Sequence, residues 1–222
     1  MVDFAVIFAR ACERNGTEAA LRAGLPEAQT SEALRAVPDD RYLSLMALRI
    51  FRAGLKHSLV DAKWPAFEEV FANFSPQRVR AMSEEAIEAL MKDQRLIRHF
   101  GKLRAVQANA AAFCAIADES GSFARYLADW PGARVVELWD DLAKRCHQMG
   151  GNSGPMFLRM AGKDTFVLSD SVVKALVEWE IFDRPPTGKG DRKKVQAVFN
   201  EWADATGRPL CHLSKILAQS VD

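Results

Sequence analysis

Little in this chain of 222 residues points to a membrane, a disulfide framework or a metal cluster. No apolar run approaches the eighteen or so residues a spanning helix needs. Only four cysteines occur, Cys12, Cys114, Cys146 and Cys211, far apart and without a C-x-x-C pair. That favours reduced, buried thiols in a cytosolic setting over disulfides or zinc. The four histidines, His57, His99, His147 and His212, keep no metal-ligand spacing with one another or with cysteine. Cys211 and His212 are adjacent, and neighbours on a helix point to different sides. No metal and no cofactor are expected. Net charge is nearly absent, +1 from 30 basic and 29 acidic residues. This neither requires nor excludes a nucleic-acid partner, because a localised basic face suffices. Repeats, low-complexity tracts and strand pairs are lacking. An acid at position 3 and no basic leader predict a capped first helix, not a signal peptide, and with it a cytoplasmic location.

What the chain has is helical periodicity. A hydrophobic content of 49% and a charged content of 27% suit a globular protein with an ample core. Phe4, Ile7, Phe8 and Ala11 form a stripe behind an Asp3 cap. Between Asp39 and Leu55, residues Tyr42, Leu45, Met46, Leu48, Ile50 and Phe51 give a broad apolar surface, predicting a central helix. Trp64-Pro65 is expected to begin another, with Phe67, Val70, Phe71 and Phe74 on one side. Ser75-Pro76 and Ser83-Glu84-Glu85 mark helix starts. A long alanine-rich helix is expected from about Lys102 to Asp118, with Leu103, Val106, Ala110 and Phe113 inward. Further helices are expected over 135–146, 155–161, 169–179, 191–206 and 209–219. The fold expectation is all-α.

Two features carry chemistry. The run Met149-Gly150-Gly151-Asn152-Ser153-Gly154-Pro155 lies between helical segments, where a glycine hairpin exposes backbone N–H groups that can hold one DNA phosphate. Its plain reading is a tight turn. Asp170 follows sixteen residues after Gly154 and starts a helix, as a cap or first-turn acid at the least. Beside a phosphate anchor it would stabilise an oxocarbenium-like sugar while an N-glycosidic bond breaks. Basic residues cluster twice, at Lys92, Arg95, Arg98, Lys102 and Arg104, and at Arg184, Lys189, Arg192, Lys193 and Lys194. Facing DNA, they would give affinity that falls with salt.

The motifs Asp39-Asp40-Arg41-Tyr42-Leu43, Phe51-Arg52-Ala53-Gly54-Leu55, Phe74-Ser75-Pro76-Gln77-Arg78-Val79, Ile97-Arg98-His99, Gly101-Lys102-Leu103-Arg104-Ala105-Val106 and Gly121-Ser122-Phe123-Ala124-Arg125-Tyr126-Leu127 resemble the DNA-3-methyladenine glycosylase I family across about 39–175. The resemblance implies a two-lobed helix-hairpin-helix fold in which a damaged base is flipped from the duplex, at a few kcal/mol of lost stacking. One lobe is expected from about 39–130, packed against a hairpin-containing lobe of about 131–222 with the N-terminal helices. Gly150, Gly151, Asn152, Ser153 and Gly154 would bind phosphate, Asp170 would be catalytic, and Tyr42, Arg49 and His57 would line the base pocket. The partner is double-stranded DNA with a damaged base, bound by a monomer.

Departures accompany the likeness. Where the family carries a glutamate that contacts the methylated adenine, this chain has Arg49; where it carries a tryptophan that stacks on the base, His57 stands. Ser171 and Ala175 occupy positions of later zinc ligands, so zinc is not inherited. An N3-methylated adenine in its nucleoside is cationic, and two unit charges about 4 Å apart interact by roughly 4 kcal/mol at an effective dielectric near 20. Arg49 therefore points away, pairs with Asp39, Asp40 or Glu68, meets a neutral base, or marks a vestigial pocket. The leading expectation is a monofunctional N-glycosylase acting on an alkylated base. The alternatives are a non-catalytic protein that binds distorted duplex and a helical interaction protein.

Overall fold

The computed structural model describes residues 2–222. Regular structure among them is wholly helical, with no strand. The chain opens with α1 (Phe4–Arg14), α2 (Glu18–Ala23), α3 (Ser31–Ala36), α4 (Asp39–Arg52) and α5 (His57–Val70). The short α6 (Pro76–Arg80) and α7 (Glu84–Ala89) precede the longest helix, α8 (Phe100–Ser120). Then come α9 (Phe123–Asp129), α10 (Val135–Arg145), α11 (Ser153–Met160), α12 (Asp170–Glu178), α13 (Lys189–Thr206) and α14 (Leu210–Gln219). No helix among the described residues is long and apolar enough to cross a membrane.

Hydroxyl and carboxylate caps set many of the starts. Asp3 accepts the Ala5 N–H at α1, and Thr17, Thr30, Ser83, Ser122 and Ser169 do the same for α2, α3, α7, α9 and α12. Each such bond satisfies one of the four N–H groups that a helix start leaves without an intrahelical partner. Pro209 cannot cap α14 with its side chain. The Asp164 carboxylate does so from a distance, accepting the Leu210 and Cys211 N–H groups at 2.9 and 2.8 Å.

One compact unit comprises the segment up to Gln29 with residues 131–138 and 162–222. Its core joins α1, α12, α13 and α14: Phe166 stacks on Phe199 with ring centroids 4.5 Å apart, and Phe4 meets Trp202 at 5.1 Å. The second unit comprises residues 30–130 and 139–161. Here α8 is central, and its inward Leu103, Val106, Ala110 and Phe113 are buried as the periodicity predicts. Phe113 stacks on Phe123 of α9, which also meets Phe157 of α11. A second aromatic cluster joins Phe51, Trp64, Phe67, Phe71 and Phe74.

Two expectations change. The hairpin was expected with residues 131–222, yet it groups with the middle of the chain, because Phe157 buries against Phe123 and α11 packs along α4. The helix expected to begin at Trp64-Pro65 begins at His57 and keeps Pro65 inside it. Trp64 and Phe67 hold that stretch in the aromatic cluster, and tertiary packing outweighs the loss of one backbone hydrogen bond.

Candidate functional site

The glycine hairpin leaves α10 at Arg145 and enters α11 at Ser153. Met149 is its anchor, 1% exposed in the core. Ser153 N–H donates to the Gly150 carbonyl and Gly154 N–H to the Met149 carbonyl, both at 3.1 Å. Those two amides are spent inside the turn, which corrects the expectation that all five residues offer donors. Gly150, Gly151 and Asn152 are the part exposed to solvent. Gly151 sits at φ +58, the left-handed region that favours glycine. Gly154 is needed for another reason: a Cβ there would lie 3.0 Å from the Met149 carbonyl oxygen. Pro155, in the first turn of α11, lacks only an N–H that has no helical partner at that position.

The loop is pinned to α8. Asn109 accepts the His147 N–H at 2.6 Å and donates to the His147 carbonyl at 3.2 Å. Gln148, itself at φ +60, donates from its side chain to the Gly101 carbonyl at 3.0 Å. A non-glycine residue there costs on the order of 1–2 kcal/mol, which these bonds offset.

The expected pocket residues separate. Tyr42 is 1% exposed, its hydroxyl donates to the Leu34 carbonyl at 2.7 Å, and its ring packs on Phe123. Burial, helped by Asp39, pushes its pKa up to about 12. It is a core residue with its hydroxyl already partnered, against the expectation that it lines the base pocket. His57 is exposed at the first residue of α5, beside the solvent-reached Leu55 and Leu59.

Arg49 is half-buried on α4, and its Nε has no hydrogen-bond partner. None of the carboxylates considered as its partner engages it. Asp39 accepts the Phe123 and Ala124 N–H groups at 2.9 Å. Asp40 pairs with Arg41, and Glu68 takes both Arg41 and the Ser44 hydroxyl. Loss of solvent lowers the Arg49 pKa from its ordinary value. Lys102 lies close enough that Arg49 adds to the desolvation that lowers its own pKa; its Nζ donates to the Ala53 carbonyl at 2.7 Å. Two positive groups thus share one region of the second unit.

Asp170 is the first residue of α12 in the other unit. Capping falls to Ser169, whose Oγ accepts the Val172 N–H at 3.3 Å. The Asp170 side chain is exposed, and no hydrogen bond or ion pair among the described residues engages it. Ser171 and Ala175 on the same helix offer a hydroxyl and a methyl, so this donor set does not suit zinc. No group of three His, Cys, Asp or Glu residues converges among the described residues. The first basic cluster also disperses: Arg95 pairs with Asp93 and Glu69, and Lys102 turns into the core.

A sequence stretch of DNA-3-methyladenine glycosylase 1 from Escherichia coli (strain K12) is 36% identical over 73 residues, 33% of this chain and 39% of that protein. DNA-3-methyladenine glycosylase from Haemophilus influenzae is 33% identical over 76 residues, 34% of this chain and 41% of that one. The matched stretch thus spans about two fifths of those relatives. The fold is shared with 3-methyladenine DNA glycosylase I from Staphylococcus aureus, at 24% identity and a TM-score of 0.52, over 62% of this chain and 80% of that one. The methyladenine glycosylase model matches residues 34–150, stopping short of Asp170. That match takes in just over half of the 222 residues, including the helices that carry Arg49 and lead into the hairpin, and the protein belongs to the methyladenine glycosylase family.

Proposed function

We propose that this protein is a DNA N-glycosylase that flips a damaged, alkylated base from double-stranded DNA and hydrolyses its glycosidic bond. The observation that carries this reading is the hairpin: an exposed Gly150-Gly151-Asn152 tip, held by Met149 and Gly154, directly after the stretch 34–150 that matches the family. Backbone amides at such a tip hold a phosphate without needing Lys or Arg, consistent with a net charge of +1.

In the proposed chemistry Asp170 supplies a carboxylate that steadies positive charge developing on the sugar and orients the attacking water. Its freedom from capping and ion pairing supports that role. Arg49 and His57 are the proposed contacts to the base. Arg49 carries a positive charge without a carboxylate beside it and so disfavours a cationic lesion. A monomer acting in the cytoplasm completes the proposal.

The test is single-turnover release of free base from duplexes with defined lesions. Asp170→Asn should slow release at least about tenfold, or roughly 1.4 kcal/mol of barrier, while duplex affinity stays within twofold. An unchanged rate removes Asp170 from the mechanism.

A further inference from the structure

A groove of about 590 Å³ lies in the second unit next to the hairpin. Its floor is the outer face of α8. Gly101, Arg104, Ala108 and Ala111 recur there at intervals of three and four, so they stack along one side of the helix. Three of the four lack bulk, which makes a trough where an exposed helix normally carries long side chains. From Gly101 to Ala111 the floor runs about 15 Å at the helical rise. That equals roughly four base-pair steps measured along a duplex axis, at about 3.4 Å each.

Two arginines and an imidazole border the groove. Arg80, at the end of α6, is exposed and enters no ion pair or hydrogen bond among the described residues. Arg104 reaches only Glu84, at 3.8 Å, with both side chains largely in solvent. His147 completes the border, and no carboxylate lines the groove. The end of the trough is continuous with the phosphate-holding loop. His147 and Gln148 line the groove and lead within two residues to Gly150, and the bonds from Asn109 and Gln148 fix them on α8.

We infer that this trough is a second phosphate-binding track, in which Arg80, Arg104 and His147 hold the backbone of a DNA strand beyond the phosphate gripped by the hairpin. The inference rests on the DNA-glycosylase reading and deepens it, because it gives that reading a strand path. Contacts of this kind go to phosphate and carry no sequence preference.

The experiment is a fluorescence-anisotropy titration of the full chain with an undamaged labelled duplex across a series of salt concentrations. The variants are Arg80→Gln with Arg104→Gln, and separately Ala111→Glu, which places a carboxylate on the trough floor. All three positions are exposed, and circular dichroism checks that the fold is kept. For the double variant, the slope of log affinity against log salt should become shallower by about 1.8, two phosphate contacts at roughly 0.9 each. Ala111→Glu should weaken binding at least about tenfold at low salt. Unchanged slopes and affinities in both variants, with the unmodified protein binding duplex in a salt-sensitive way, overturn the track and leave the hairpin reading standing. An unmodified protein without salt-sensitive affinity overturns both.

Discussion

At the scale of single residues, Arg49 is the proposed determinant of which lesion is accepted. Its half-buried guanidinium has an unpartnered Nε and shares its surroundings with Lys102. Reversing its charge should invert the preference between lesions. In Arg49→Glu, release of 3-methyladenine relative to a neutral damaged base such as hypoxanthine should rise at least about tenfold, a modest part of the roughly 4 kcal/mol available to a close charge pair. An unmoved ratio in competition assays would show that Arg49 does not face the base. Tyr42 makes a different prediction. Its folded pKa is raised to about 12 from 10.0, so its stabilising contribution is complete below pH 10 and is lost as pH rises toward 12. Over that interval it removes about 1.4 kcal/mol of stability per pH unit. The burial-raised Cys146 thiol, also near 12, adds to the decline from its own lower starting value of 9.0. Urea midpoints followed from pH 9 to 12 should fall more gently in Tyr42→Phe than in the unmodified chain. The likeness of motifs marks Tyr42 as a pocket residue, whereas its hydroxyl is spent on Leu34; sequence cannot show where an amphipathic side chain finds its acceptor.

At the scale of elements, the hairpin and one strained turn stand out. Gly154→Ala would press a methyl group to 3.0 Å from the Met149 carbonyl, and this backbone contact cannot be relieved by a side-chain rotation. Duplex affinity should fall at least about fivefold while helix content, read by circular dichroism, stays the same; equal affinity would mean the turn geometry is irrelevant to DNA. Ala72, Asn73 and Phe74 are all left-handed, with φ of 52, 54 and 57. Arg41 clamps this turn by donating to the Asn73 carbonyl at 2.6 Å while pairing with Glu68. Arg41→Ala should cost about 1 kcal/mol, modest because the guanidinium is partly in solvent, and should speed amide exchange around Asn73. Long helices were legible because their apolar stripes repeat: α4, α8, α13 and α14 begin and end within a few residues of expectation. The short α2, α3 and α9 were missed, although Thr17, Thr30 and Ser122 announce them as caps. Six or seven residues are too few for a stripe to rise above its surroundings.

At the scale of the whole molecule, the all-helical fold and the family follow from the order of motifs along the middle of the chain, and the solved relatives share that fold. The division into units did not follow. The chain passes from one unit to the other more than once, at Gln29, Trp130, Leu138 and Ala161, and linear composition shows none of these crossings. The hairpin was legible as a turn between two helices from its glycines alone, and phosphate binding there is the proposal built on it. The trough beside it was not, because Arg80 is distant in sequence and the small residues of α8 read simply as good helix formers. The proposed catalysis is tested most directly by free-base release under single-turnover conditions from duplexes carrying methylated and neutral lesions. Release of at least one damaged base is expected, slowed at least about tenfold by Asp170→Asn with duplex affinity retained. Folded protein that binds duplex in a salt-sensitive way and frees no base from any of these lesions would contradict the glycosylase reading.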